Sequence, residues 1–187
     1  VSNAEDVAQL LAPTPTLRGV VHAAGVLDDG MLMHQSTKRF LKVAGPKVSG
    51  AWNLHIQTKD LPLDFFVLFS SVASIIGSPG QSNYAAANAF MDGLAHHRKH
   101  QGLVAKSINW GPWADVGMAA SDVVLQRLMK DGWQPMNASQ GCDFIGHLLK
   151  VCNLPQVAVL PVDWRQFAAR IPGAVNWKNL SHLVSKE

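Results

Sequence analysis

Four side chains of this 187-residue sequence have the types and spacing for proton exchange with a carbonyl group. Tyr84, the sole tyrosine, stands four residues before Asn88 in "NYAAANAF", which places both on one face of a helix about 6 Å apart. Ser71 ends the apolar run "DFFVLFSS", thirteen residues before the tyrosine, and Lys47 follows a Gly-Pro pair thirty-seven residues before it. A phenol titrates near 10 when unperturbed, too high to exchange protons readily at neutral pH. A nearby ammonium lowers that value, and a serine hydroxyl orients a carbonyl oxygen beside the phenol. An asparagine can hold the water that restores the proton. Each residue also has an ordinary structural explanation: core tyrosine, turn serine, solvated lysine. Composition and spacing alone therefore leave an α/β domain with a candidate oxidoreductase site.

The elements that must position these groups are legible in the pattern. Residues 3–12 read as a short helix capped by Asn3, with two acids in its first turn. Leu17–Gly25 reads as a strand ending in small residues. A helical pattern runs from Ser36 to His55, and Pro46 within it is expected to kink or restart the helix. Asp64–Ser71 is a near-continuous apolar strand of the kind buried on both faces. "VASIIGSPGQ" reads as loop, after which Ser82 or Asn83 caps a helix to Arg98. "VAKSINWGPW" is a third strand, helices follow at Asp122–Lys130 and Ser139–Cys152, and "QVAVLPVDW" is a fourth strand. Residues 171–187 read as a tail or linker. Strand and helix alternate throughout, so the expected class is α/β with a parallel, doubly wound sheet and its active site at the carboxyl ends of the strands.

The hydrophobic share of 48% and charged share of 16% describe a globular chain. A net charge of +3, scattered along the sequence, argues against nucleic acid as a partner. The one dense basic cluster, His96–Gly102, sits where a helix should end and suits its dipole. Cys142 and Cys152 lie about 15 Å apart along one helix, too far for a disulfide, and read as buried free thiols with no metal-binding pattern. No secretory signal pattern opens the sequence, and its most apolar run is shorter than the roughly 20 residues a membrane span needs. The expectation is a soluble, cytoplasmic protein that binds neither membrane nor metal.

The series "VVHAAGVLDDG", "PKVSGAWNLH", "FFVLFSSVASIIGSPGQSNYAAANAFMDGLAHHR" and "SINWGPW" closely resembles the ketoreductase domain of modular polyketide synthases, within the short-chain dehydrogenase/reductase family. The similarity runs from Arg18 to Trp164. It implies a Rossmann-like fold and an NADPH-dependent reduction of a 3-ketoacyl thioester. The substrate would be carried on the phosphopantetheine of an acyl carrier protein, beside neighbouring synthase domains. The family spacing selects Ser71 over Ser70 and makes Tyr84, Ser71, Lys47 and Asn88 the catalytic set. The exchanged Asn88 and Lys47 positions fit polyketide ketoreductases better than free-standing short-chain reductases. The resemblance places the cofactor near Ala23, Ala24, Gly25, Lys47, Tyr84, Gly111 and Pro112.

Leu27-Asp28-Asp29, Pro79 and Asn83 match the stereocontrol positions of B-type domains, which give the D-configured 3-hydroxyl. Ile76 stands where A-type domains carry Trp. Ala86 replaces the proline of some epimerising domains. The segment Val116–Trp133 resembles the lid over the acyl arm.

The fifteen glycines contain no Gly-x-Gly-x-x-Gly. By resemblance, residues 1–170 therefore correspond to the C-terminal part of a ketoreductase domain without its phosphate-binding loop, and the strand at Leu17–Gly25 should present an unpaired apolar edge. Such a fragment is expected to bind NADPH poorly, to lack turnover and to aggregate. Two alternatives stand beside this expectation: a free-standing short-chain reductase and a non-catalytic, reductase-like scaffold.

Overall fold

The computed structural model describes residues 1–14, 16–115, 122–171, 173, 176–178, 180, 182 and 183. They form two compact units, one of Val1–Trp110 with Cys152–Ala158 and one of Gly111–Val151 with Val159–Glu187.

The first unit is built on a sheet of four strands, β1 (Gly19–His22), β2 (Phe65–Ser71), β3 (Lys106–Trp110) and β4 (Gln156–Val159), in the order β1-β2-β3-β4. β1 pairs parallel with β2, Val20 opposite Phe66, and β2 pairs parallel with β3, Ser71 opposite Trp110. Adjacent residues of a strand point to opposite faces, so burial of both Val67 and Leu68 shows that β2 is covered on each side. This is the expected Rossmann-like α/β fold. β1 and β4 are shorter than their apolar runs suggested. β1 stands at the end of the strand order, with Val21 52% exposed. An apolar groove of about 380 Å³ runs beside it, lined among others by Leu10, Leu11, Leu17, Val20 and Val21.

Helix α1 (Ala4–Leu11) starts as expected, Asn3 Oδ1 accepting from the amides of Glu5 (2.7 Å) and Asp6 (3.3 Å). Val7 from α1, Leu54 from α3 (Gly50–Thr58) and Met91, Leu94 and Ala95 from α5 (Ser82–His100) pack with Val20, Phe66 and Leu68 into one core. The expected break at Pro46 takes a different form. Helix α2 (Thr37–Ala44) passes into α3 through a π-helical turn, Gly45–Ser49, with the Gly50 amide bonded to the Gly45 carbonyl. Proline lacks an N–H and its ring crowds the preceding turn; widening the turn by one residue relieves both without ending the helix.

Two local expectations are corrected around α5. The "VASII" segment contains a short helix, α4 (Ala73–Ile76). The N-cap position of α5 belongs to Gln81, which makes no side-chain cap, while Asn83 Oδ1 accepts from the Tyr84 amide at 2.8 Å. The basic end of α5 sits in its last turn as foreseen. Arg98, however, is only 1% exposed and lies 3.9 Å over the Phe66 ring.

In the second unit, α6 (Asp122–Lys130) and α7 (Ala138–Val151) fall where the pattern put them. Asn137 and Gln140 cap the start of α7 reciprocally. The segment after "LPVD" is a helix, α8 (Trp164–Arg170), because Asp163 accepts from the amides of Arg165 and Gln166. Trp133, Trp164 and Trp177 meet the Phe167 ring edge-on. The cysteines are free, but Cys142 is exposed and Cys152 half-exposed, so neither is a buried thiol. Of the lid-like segment, residues 116–121 lie outside the described residues. Among the described residues no helix is long and apolar enough to cross a membrane, and no cluster of His, Cys, Asp or Glu is arranged to hold a metal.

Candidate active site

The carboxyl end of β2, the first turns of α5 and the π turn bring Ser71, Tyr84, Asn88 and Lys47 together in the first unit. Alternation along β2 separates the two serines. Ser70 is buried, donating to the Asn88 carbonyl (3.3 Å) and accepting from Asn109 (3.1 Å). Ser71 sits half-buried at the strand end, Oγ accepting from the Ala73 amide at 3.2 Å, and its side chain also hydrogen-bonds the Tyr84 phenol.

Lys47 is carried inward by the π turn and is 2% exposed. Its Nζ donates to the Phe69 carbonyl at 3.0 Å and lies 5.3 Å from the centre of the Tyr84 ring. Burial pulls its pKa down to about 8, with the Asp92 carboxylate opposing the fall. The Tyr84 phenol moves upward from 10. Burial is the main cause, the hydrogen bonds from Ser71 and Asn88 oppose it, and the Asp29 charge reinforces it. The shift thus runs opposite to the lowering expected from a nearby ammonium.

Asn88 is fully buried. Its Nδ2 donates to the Tyr84 carbonyl at 2.8 Å, and its Oδ1 is buried without a donor among the described residues. A buried amide oxygen without a partner is costly, so this atom calls for a donor such as water.

The residues that the resemblance marked for stereocontrol form a second cluster. Leu27, Asp28 and Asp29 lie in the irregular segment after β1. Asn83 Nδ2 donates to the Asp28 carbonyl (2.8 Å), Gln81 Nε2 to Asp29 Oδ2 (2.9 Å), and the Gly30 amide to the Gly80 carbonyl (2.8 Å). Pro79 is exposed beside this contact. Ala23, Ala24 and Gly25 follow directly at the carboxyl end of β1, where small side chains leave a cofactor ring room to approach. The small residues there fit the approach of a flat cofactor ring. Gly111 and Pro112 belong to the second unit, where the Gly111 amide donates to the Val159 carbonyl (3.0 Å) and the Pro112 carbonyl accepts from Met136 (3.0 Å).

Three supporting residues escaped the sequence reading. Asp92 accepts from Ser107 Oγ (2.6 Å), Ser74 Oγ (2.7 Å) and Asn109 Nδ2 (2.9 Å), a buried carboxylate beneath the ends of β2 and β3. Its signal was present, since Tyr84, Asn88 and Asp92 are spaced i, i+4, i+8 along one helix face. His22 and Arg39 had no such signal, because their partners are carbonyls and loop atoms distant in sequence.

Comparison with known proteins agrees with this geometry. The family model for the KR domain matches residues 1–115. A polyketide synthase of Streptomyces halstedii, GfsA, is 46% identical over 164 residues, 88% of this chain and 2% of that protein. The phenolphthiocerol synthesis polyketide synthase Pks15/1 of Mycobacterium marinum is 46% identical over 157 residues, 82% of this chain and 8% of that protein. Among solved structures, an A-type ketoreductase from a modular polyketide synthase superposes with a TM-score of 0.85 at 38% identity, covering 92% of this chain and 38% of that one. The first ketoreductase of the tylosin synthase superposes with a TM-score of 0.81 at 40% identity, covering 90% and 37%. With more than half its length matched by the family model and its fold shared at this identity, the chain belongs to the KR domain family, the ketoreductase domains of polyketide synthases.

Proposed function

We propose that this chain supplies the catalytic part of an NADPH-dependent ketoreductase that converts a 3-ketoacyl thioester on acyl carrier protein to the D-configured 3-hydroxyacyl thioester. The observation that carries the proposal is the half-buried Tyr84 phenol, bonded by Ser71 and Asn88 with the Lys47 ammonium 5.3 Å from its ring. When bound, NADPH supplies the hydride that the 3-keto carbon receives. The chain's own residues handle the oxygen. Ser71 Oγ orients the carbonyl oxygen, and Tyr84 Oη gives it a proton as the carbon–oxygen double bond becomes a single bond. A phenol that titrates at its ordinary value near 10 or above is protonated at neutral pH, so the acid is present before the substrate arrives. Lys47 stabilises the phenolate left behind, and Asn88 Oδ1 accepts from a water that returns the proton. Ala23, Ala24 and Gly25 of the first unit are proposed to face the nicotinamide, while Gly111 and Pro112 are assigned to the cofactor by resemblance alone.

The Leu27-Asp28-Asp29 loop, Pro79 and Asn83 carry the B-type assignment by resemblance, and Asn83 Nδ2 bonds the loop at the Asp28 carbonyl. The chain spans 38% of the related A-type structure, and the phosphate-binding loop is proposed to come from polypeptide outside this sequence. The working location is cytoplasmic, beside the other synthase domains. The test is Tyr84→Phe in the intact ketoreductase domain: the fold should survive and NADPH oxidation with a 3-ketoacyl thioester should fall to background, whereas unchanged turnover would sink the assignment.

A further inference from the structure

We propose that Arg39, on the outward side of α2, is a positioning residue that sets the stereochemical outcome of reduction by clamping the Leu27-Asp28-Asp29 loop. The proposal rests on the ketoreductase function argued above. The loop has no secondary structure of its own, so its place depends on hydrogen bonds from neighbouring segments, among them Gln35 Nε2 to the Gly30 carbonyl (3.0 Å). From α5 and the turn before it come the Asn83, Gln81 and Gly80 contacts already described. From α2 comes Arg39, whose Nε donates to Asp28 Oδ1 (2.7 Å), Nη2 to the Asp29 carbonyl (3.0 Å) and Nη1 to the His34 carbonyl (3.3 Å). One planar guanidinium thus fixes a carboxylate and two carbonyls, a pattern an ammonium cannot reproduce.

The guanidinium is also fitted by shape. A Cβ placed on Gly30 would come 2.2 Å from Arg39 Nη1, so a glycine in the loop leaves the space the fork occupies. The clamp is separable from the fold. Lys42 Nζ holds Asp28 Oδ2 at 3.1 Å and keeps that charge paired if Arg39 is lost, and the cap of α2 comes from Ser36. Loss of Arg39 therefore removes the bonds to Asp28 Oδ1 and the Asp29 carbonyl, leaving Lys42 on Asp28 Oδ2 and Gln35 Nε2 on the Gly30 carbonyl (3.0 Å), while the α5 side stays bonded beside Tyr84. The loop is bonded to Asn83, the residue before the proton donor, and in this proposal its position decides which face of the ketone the acyl chain leaves open. Asp29, held by its carbonyl to Arg39, is the carboxylate whose charge reaches the phenol.

The experiment compares wild type, Arg39→Met, Arg39→Lys and Gly30→Ala in the intact ketoreductase domain. It follows the ratio of D to L 3-hydroxyl product by chiral chromatography, together with kcat and the melting temperature. The expected result is a fall in the D to L ratio of about tenfold or more in Arg39→Met, exceeding any fall in kcat. Arg39→Lys should fail to restore the ratio, and Gly30→Ala should show the same loss by displacing the guanidinium without removing its charge. An unchanged ratio in a folded Arg39→Met or Gly30→Ala domain overturns the clamp, even if the melting temperature drops. A folded wild-type domain that reduces no 3-ketoacyl thioester overturns the function on which the clamp stands.

Discussion

The imidazole of His22, the last residue of β1, donates from Nε2 to the Pro46 carbonyl at 2.9 Å. That carbonyl belongs to the π turn, one residue before Lys47. The bond ties the strand end to the turn that aims the lysine, and it requires a proton on Nε2, which the neutral Nε2–H tautomer and the imidazolium both carry.

His22 makes stability depend on pH. Burial lowers its pKa from 6.5 to about 4, the Pro46 bond opposes the fall, and the Lys47 charge adds to it. The unfolded chain takes up the proton near pH 6.5 and the folded chain resists until about 4. The stabilisation is thus complete above 6.5 and is lost as pH falls through that window. Urea unfolding at pH 7.5 and 5.0 should differ by about 2 kcal/mol from this residue. His22→Gln should lose most of the difference; an undiminished pH dependence in the variant would contradict the assignment.

Lys47 predicts a limb on the activity profile. With a pKa near 8, it loses its charge as pH rises through that value, and turnover of the intact domain should decline there. Asp92 supports the charge, so Asp92→Asn should move the alkaline limb to lower pH. The measurement is kcat against pH for the two proteins, and coincident limbs would rule out the coupling.

Asp92 has a structural consequence as well. Asp92→Ala leaves Ser74, Ser107 and Asn109 without their shared acceptor. Burying those groups unpaired should cost about 3 kcal/mol in denaturant unfolding. Asn, which keeps one acceptor, should cost less.

The parts of the fold legible in sequence were those set by local pattern. β2 announced itself as seven residues of apolar strand, and the Asn3 cap and the i, i+4 pair of Tyr84 and Asn88 follow from spacing alone. What spacing could not carry was the response of the backbone to its surroundings. A proline in a helix signals a break, yet the buried Lys47 and the His22 bond favour a widened turn that keeps the helix running. The direction of the Tyr84 shift was equally hidden, because burial is a property of the packed fold. α8 was missed because "VDW" reads as strand until Asp163 is seen capping the two amides after it.

Among the described residues Arg98 is held without a carboxylate, by the Phe66 ring, the Val104 carbonyl (3.1 Å) and His55 Nδ1 (3.0 Å). Arg98→Lys keeps the charge but loses the planar stack and the second donor. It should destabilise the chain by about 2 kcal/mol, read from the urea midpoint. A midpoint equal to wild type would show the stack to be incidental.

The edge of β1 makes the last prediction. Val21 is 52% exposed on a strand whose other neighbour is lacking among the described residues, beside a groove lined by Leu10, Leu11 and Leu17. Such an edge offers unpaired backbone groups together with apolar surface, the combination that promotes strand-to-strand association. A lysine at this position keeps its stem on the groove and sets its charge against a second edge. The 187-residue chain should therefore associate at micromolar concentration, and Val21→Lys should shift its sedimentation profile toward the monomer with an unchanged circular dichroism spectrum. Equal association in the two proteins would place the sticky surface elsewhere, with the exposed Met31–Met33 segment the next to substitute.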